Sequence, residues 1–208
     1  MGKSDGWYRN DRWGEAEEAK FLARLKRTRG NRNKATVARI KAAMLEGTED
    51  PPRVRAALAL LGRVLREWPV DSDIALCRWQ RARCLLILKN DEGALKEFDA
   101  ALNRERAFPR ALTGAWSDFA QLVVSRKLRE RYGDVRRLLE EREKYFIYPA
   151  DRFVAHACRA LIARENGSKG LAREEAERAL AEAERPHENL GLLHSFDGIV
   201  QRLRKISR

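Results

Sequence analysis

Three dipeptides most constrain this chain: Trp68-Pro69, Phe108-Pro109 and Tyr148-Pro149, each an aromatic followed by proline, at intervals of 40 residues. Proline lacks an amide N–H and biases the residue before it away from helical dihedrals, so each pair reads as the stop of a helix. A period of that length belongs to a chain built from repeated units. Pro186 falls 37 residues after Pro149 with no aromatic before it, as expected where an array runs into its cap.

Between these stops the apolar residues recur at helical spacing. A helix is expected over residues 14–29, with Phe21 or Leu22 and Leu25 on its apolar side. Trp7, Tyr8 and Trp13 precede it and are expected to pack on the first helices as a plug. A helix over 34–46 and, after the turn Thr48-Glu49-Asp50-Pro51-Pro52, a helix that ends at Trp68-Pro69 then make a first hairpin, with Ala57, Leu58, Leu61, Val64 and Leu65 on one face of the second. Helices over 72–88 and 92–106 make the next, joined by Lys89-Asn90-Asp91. A third unit carries Trp116, Phe119, Ala120 and Val123, then an extended basic connection over 126–133, then Val135, Leu138 and Leu139. A fourth turns at Gly167-Ser168-Lys169, and a last segment over 192–206 holds Leu193, Phe196, Ile199, Val200 and Leu203. The organisation expected is a lead-in and basic capping helix over 1–33, four hairpins over 34–186 (34–69, 72–109, 110–149 and 151–186), and a C-terminal capping helix over 187–208.

Composition agrees with long exposed helices. Of 208 residues 44% are hydrophobic and 36% charged, enough apolar content for a core and rich in helix formers. Cys77, Cys84 and Cys158 form no C-x-x-C pair and read as small core residues of a reducing compartment. The first residues hold no apolar run of signal-peptide kind, and no run approaches a membrane span, so a cytoplasmic protein with no membrane partner is expected.

The charge is uneven. Forty-three Lys and Arg stand against 31 Asp and Glu, a formal net charge of +12. Between positions 20 and 41 lie nine cations and no acid: Lys20, Arg24, Lys26, Arg27, Arg29, Arg32, Lys34, Arg39 and Lys41. Helix dipoles favour some positive charge at helix C-termini, but nine without one acid exceeds that need. The segment is therefore a candidate face for a polyanion or an acidic protein.

At this point the residues resemble the tetratricopeptide repeat family. Ala82, Leu85, Ala94, Phe98 and Ala101 in the second unit, and Ala160, Ala163, Ala172, Ala176 and Ala179 in the fourth, fall without a gap on that family's small and large apolar places, although Ala176 is small where a large ring is usual. Small residues there let paired helices approach closely. The third unit needs about three extra residues before Val135, and repeats near 40 residues are also compatible with a HEAT-like description. The resemblance implies an all-α, right-handed superhelix of about four antiparallel helix pairs with capping helices at both ends. It also implies a groove lined by first helices that binds a protein or peptide partner. Its groove-facing places fall on Trp79, Arg83 and Leu86, on Ser117, Gln121 and Val124, and on Ala157, Leu161 and Arg164.

Signatures of catalysis are not found in the sequence. Gly167-Ser168-Lys169-Gly170 lacks phosphate-loop spacing, and the carboxylates interleave with arginine at solvated helical spacings. His156, His187 and His194 make no metal-binding pair, so no cofactor and no metal are expected. The function expected is a non-enzymatic scaffold that binds a partner, acidic in character, through the groove and the basic face. An RNA- or DNA-binding helical repeat and an immunity protein that neutralises a cognate toxin are the alternatives.

Overall fold

A computed structural model describes residues 6–184 and 197–207. Among these residues it contains ten α-helices, two short 3-10 turns and no strand. His187, His194, Pro186, Leu193 and Phe196 lie outside the described residues. The chain divides into two compact units, Met1–Ala115 and Trp116–Arg208.

The first unit holds α1 (Glu15–Arg27), α2 (Asn31–Glu46), α3 (Pro51–Glu67), α4 (Ile74–Ile87) and α5 (Asp91–Ala107). Helices α2 and α3 pack as one hairpin, α4 and α5 as another, and α3 joins the two by packing on α4. Local chemistry sets the boundaries. Asp50 Oδ2 accepts from the Arg53 amide at 3.4 Å while Pro51 and Pro52 occupy the first turn of α3, where no intrahelical amide bond is lost. Asn90 Oδ1 accepts from the Gly93 amide at 2.8 Å and opens α5. A side chain at Gly93 would meet that asparagine at 3.0 Å, so the capping contact itself asks for glycine. Trp68 and Phe108 cap the C-terminal ends of α3 and α5, and Pro69 and Pro109 follow as stops.

The N-terminal aromatics pack as a plug. Trp7 and Trp13 stand with ring centroids 5.3 and 5.7 Å from the ring of Phe21, which is buried on α1 together with Leu25. Beneath them the core joins Ala35, Ala38, Ala42 and Leu45 of α2 to Val54, Ala57, Leu61 and Val64 of α3.

The second unit holds α6 (Ala115–Ser125), α7 (Tyr132–Arg142), α8 (Pro149–Glu165), α9 (Lys169–Ala183) and α10 (Asp197–Ile206). Helices α8 and α9 form a hairpin through a turn in which Gly167 takes φ +79°, a left-handed conformation that glycine adopts without strain, and α10 packs on both helices.

Two expectations change here. The segment expected to be extended over 126–133 is a tight turn: Arg129–Arg131 form a 3-10 turn that leads into α7, whose first residue Tyr132 is buried. The third aromatic-proline pair is a start, not a stop. Helix α7 ends at Arg142, Glu143–Tyr145 add a 3-10 turn, and Pro149 is the first residue of α8 with Tyr148 as its N-cap. Proline fits both roles because a first-turn residue needs no intrahelical amide bond, so the dipeptide marks a helix boundary without its polarity.

Candidate binding surfaces

In the first unit the groove places gather on α4. Trp79 is half-buried, with its ring against Gly114, where an added Cβ would lie 2.8 Å from it. The Arg83 guanidinium sits 5.2 Å from the Trp79 ring centre, and its Nε reaches Glu46 Oε1 at 2.7 Å. Glu46 is buried on α2 while the Arg83 side chain is 46% exposed, so the pair anchors the arginine and leaves its outer edge open. Leu86 is half-buried one turn further on.

In the second unit Gln121, Val124, Ala157 and Leu161 meet around one apolar hollow that Ile199 and Arg202 of α10 close. The hollow has about 20 Å³ of free space, room for a single water. Val124 and Leu161 are only 2% and 3% exposed, so they are packing residues and do not present a surface to a partner. That corrects their expected place on the groove: α6, α8 and α10 approach too closely there. Ser117 is half-buried and bonded to Gln121, whereas Arg164 is exposed.

The basic segment also divides. Lys41 is 3% exposed, and its ammonium donates to Asn10 O, Asn10 Oδ1 and Arg12 O at 2.8–2.9 Å, with the Trp13 ring 5.3 Å away. Its role is to hold the N-terminal plug to α2, and it leaves the polyanion face as a correction. Burial pushes its pKa below the ordinary lysine value, against a smaller opposing pull from Asp11. Lys34 is half-buried beside the Trp68 ring, and Arg39 is half-buried with its Nε enclosed, so neither belongs to the open face. Lys20, Arg24, Lys26, Arg27, Arg29 and Arg32 remain exposed. Of these, Lys20, Lys26, Arg27, Arg29 and Arg32 make no ion pair among the described residues.

Several cations elsewhere are held by carboxylates. Arg81 Nε meets Glu97 Oε1 at 2.7 Å, Arg78 meets Glu97 Oε2 at 3.0 Å, and Arg104 meets Asp71 at 2.7 Å. Lys127 and Arg129 hold Glu165 at 2.9 Å, and those bonds keep its carboxyl below the usual glutamate range. His156 Nδ1 stands 2.7 Å from Glu175 Oε2, and the other oxygen of that carboxylate, Oε1, pairs with Arg178. These clasps escaped the sequence reading, yet a signal exists: Arg78 precedes Glu97, and His156 precedes Glu175, by 19 residues each.

Among the described residues no group of three or more metal-ligating side chains assembles, and no helix is long and apolar enough to cross a membrane. The three thiols are buried, and burial pushes each up to about 12. No family model, curated protein or solved structure matches the chain.

Proposed function

We propose that this chain is a tetratricopeptide-like, non-enzymatic interaction scaffold that docks a protein or peptide partner on the first helix of its central hairpin, around Trp79, Arg83 and Leu86. The observation that carries the reading is a shared register. Ala82, Ala94 and Ala101 of α4 and α5 recur as Ala160, Ala172 and Ala179 of α8 and α9, and all six are fully buried. A common shift of 78 residues relates the two sets, as it relates the Arg78–Glu97 and His156–Glu175 contacts, which is what two copies of one unit predict. Tryptophan backed by an anchored arginine has the composition of an interface hot spot.

The test uses the full chain as bait and identifies a co-purifying protein by mass spectrometry. Its affinity is then compared between the wild type and a Trp79→Ser, Leu86→Ser variant. A loss of about 30-fold, the hot-spot scale, is expected. A partner that binds the variant as tightly as the wild type overturns the reading, and so does recovery of no protein above an unrelated bait.

A further inference from the structure

Lys20, Lys26, Arg27, Arg29 and Arg32, on α1 and around the start of α2, lie within 13 residues, are exposed and make no ion pair among the described residues. Lys20, Arg24 and Arg27 follow one another at helical spacing beside the buried face of α1, over about 10 Å of helix rise. Lys26 stands on the next side of the helix, and Arg29 and Arg32 continue the charge around the turn at Gly30 into α2, whose first turn holds no acid. Helix α1 keeps its acids, Glu15, Glu17 and Glu18, in its own first turn. Five exposed cations without an ion pair among the described residues repel one another, and a bound polyanion relieves that repulsion.

A second observation specifies the polyanion. The cationic stripe borders an open hollow of about 240 Å³ whose aromatic wall is Trp7 and Phe21 and whose rim carries Lys20, Arg24 and Arg12, with Glu17 as its acid. The Arg24 guanidinium lies 5.0 Å from the centre of the Trp7 ring, so charge and aromatic surface stand side by side. We infer that this face binds single-stranded nucleic acid, with phosphates along Lys20, Arg24, Arg27, Arg29 and Arg32 and a base entering the hollow beside Trp7. A cationic track with an adjoining aromatic surface is what an unpaired strand requires, because each nucleotide brings one phosphate and one flat apolar face. An acidic peptide satisfies the charges and leaves the hollow without an occupant of matching shape.

The inference goes beyond the protein-docking reading and stands or falls separately from it. The probe is a fluorescein-labelled, mixed-sequence, single-stranded DNA of 20 nucleotides, followed by anisotropy against the full chain. With about five phosphates neutralised, raising salt from about 50 to about 200 mM weakens binding roughly 100-fold. An Arg27→Glu, Arg29→Glu, Arg32→Glu variant loses at least about 10-fold, and the same positions changed to Gln lose affinity in the same direction, which guards against misfolding of the charge-reversed form. The Trp79→Ser, Leu86→Ser variant binds the strand as the wild type does. Absence of measurable binding at the lower salt, indifference to the Gln substitutions, or displacement of the strand by polyglutamate of equal charge at equal concentration each overturns the inference, the last in favour of an acidic protein. A duplex of the same length that binds as tightly as the single strand also overturns it, since a paired base cannot enter the hollow.

Discussion

Hairpin α4/α5 and hairpin α8/α9 are two solutions to one packing problem. Both bring alanines together at the helix crossing, and both hold the crossing with a glutamate of the second helix bonded to a side-chain nitrogen of the first. They differ in what fills the space between. In α4/α5 a phenylalanine, Phe98, is fully buried, and the clasp is two guanidiniums on Glu97. In α8/α9 the equivalent place is Ala176, also fully buried, and the clasp is one imidazole plus Arg178. Along α8 nine residues are buried, including Phe153, Leu161 and Ile162. One unit thus closes its crossing with a large ring from the second helix; the other closes it with a first helix buried on most sides.

The largest effect that bears on this difference is at Phe98. Phe98→Ala removes a ring with no exposed surface and is expected to cost about 3–5 kcal/mol, read as a lowered denaturant midpoint. The reverse exchange, Ala176→Phe, forces a ring into a crossing closed without one and is expected to cost about 1–3 kcal/mol. If Ala176→Phe is tolerated without loss, the two crossings are not closed differently and the comparison fails.

The thiols sharpen the same contrast with pH. Cys77 and Cys84 lie on α4 and Cys158 on α8, all protonated in the folded chain until about pH 12 because burial opposes the thiolate. In the unfolded chain a thiol ionises near its ordinary value, so above about pH 9 the unfolded state releases protons that the folded state keeps. Stability is therefore full below that value and falls as pH rises toward 12. The loss is about 1 kcal/mol per thiol over the first pH unit, since the unfolded thiol is only half ionised at its start. Unfolding at about pH 9 and about pH 10 should show the drop shrink by about 2 kcal/mol in Cys77→Ala, Cys84→Ala and by about half as much in Cys158→Ala. Equal changes in the two variants would place the thiols in environments other than those described.

How much of this was legible in the sequence follows from the physics of each signal. Helix cores and hairpin pairing were readable because apolar spacing and small residues report a local geometry: Ala82, Phe98 and Ala101 needed no partner to be recognised as inward-facing. Tyr148-Pro149 was misread because proline reports only a missing donor, which suits either end of a helix. Lys41 was misplaced because a lysine enclosed by carbonyls 29 and 31 residues away carries no mark of it in its neighbours. Val124 and Leu161 were assigned to an open groove because repeat spacing predicts which face a residue shares, while the distance between neighbouring helices decides whether that face stays open. The basic run over 20–41 was visible as composition, but which of its nine cations remain exposed required tertiary contacts.

The smallest effect tests the register itself. Asn90 and Ser168 stand at equivalent places, each the residue before the second helix of its hairpin. Asn90 caps α5 through the Gly93 amide, whereas Ser168 makes no side-chain capping bond to α9. Asn90→Ala should therefore cost about 1 kcal/mol, and Ser168→Ala only a few tenths, about what removing an unengaged hydroxyl costs. Ser168→Asn offers α9 the bond that α5 already has. If the two hairpins share one backbone register, that substitution should stabilise the chain by about 0.5 kcal/mol or more in a denaturant titration, because the same amide lies within reach of the same side chain. A neutral or destabilising outcome would mean that the backbone entering α9 departs from that entering α5, and the common shift of 78 residues would then describe the sequence without describing the turn.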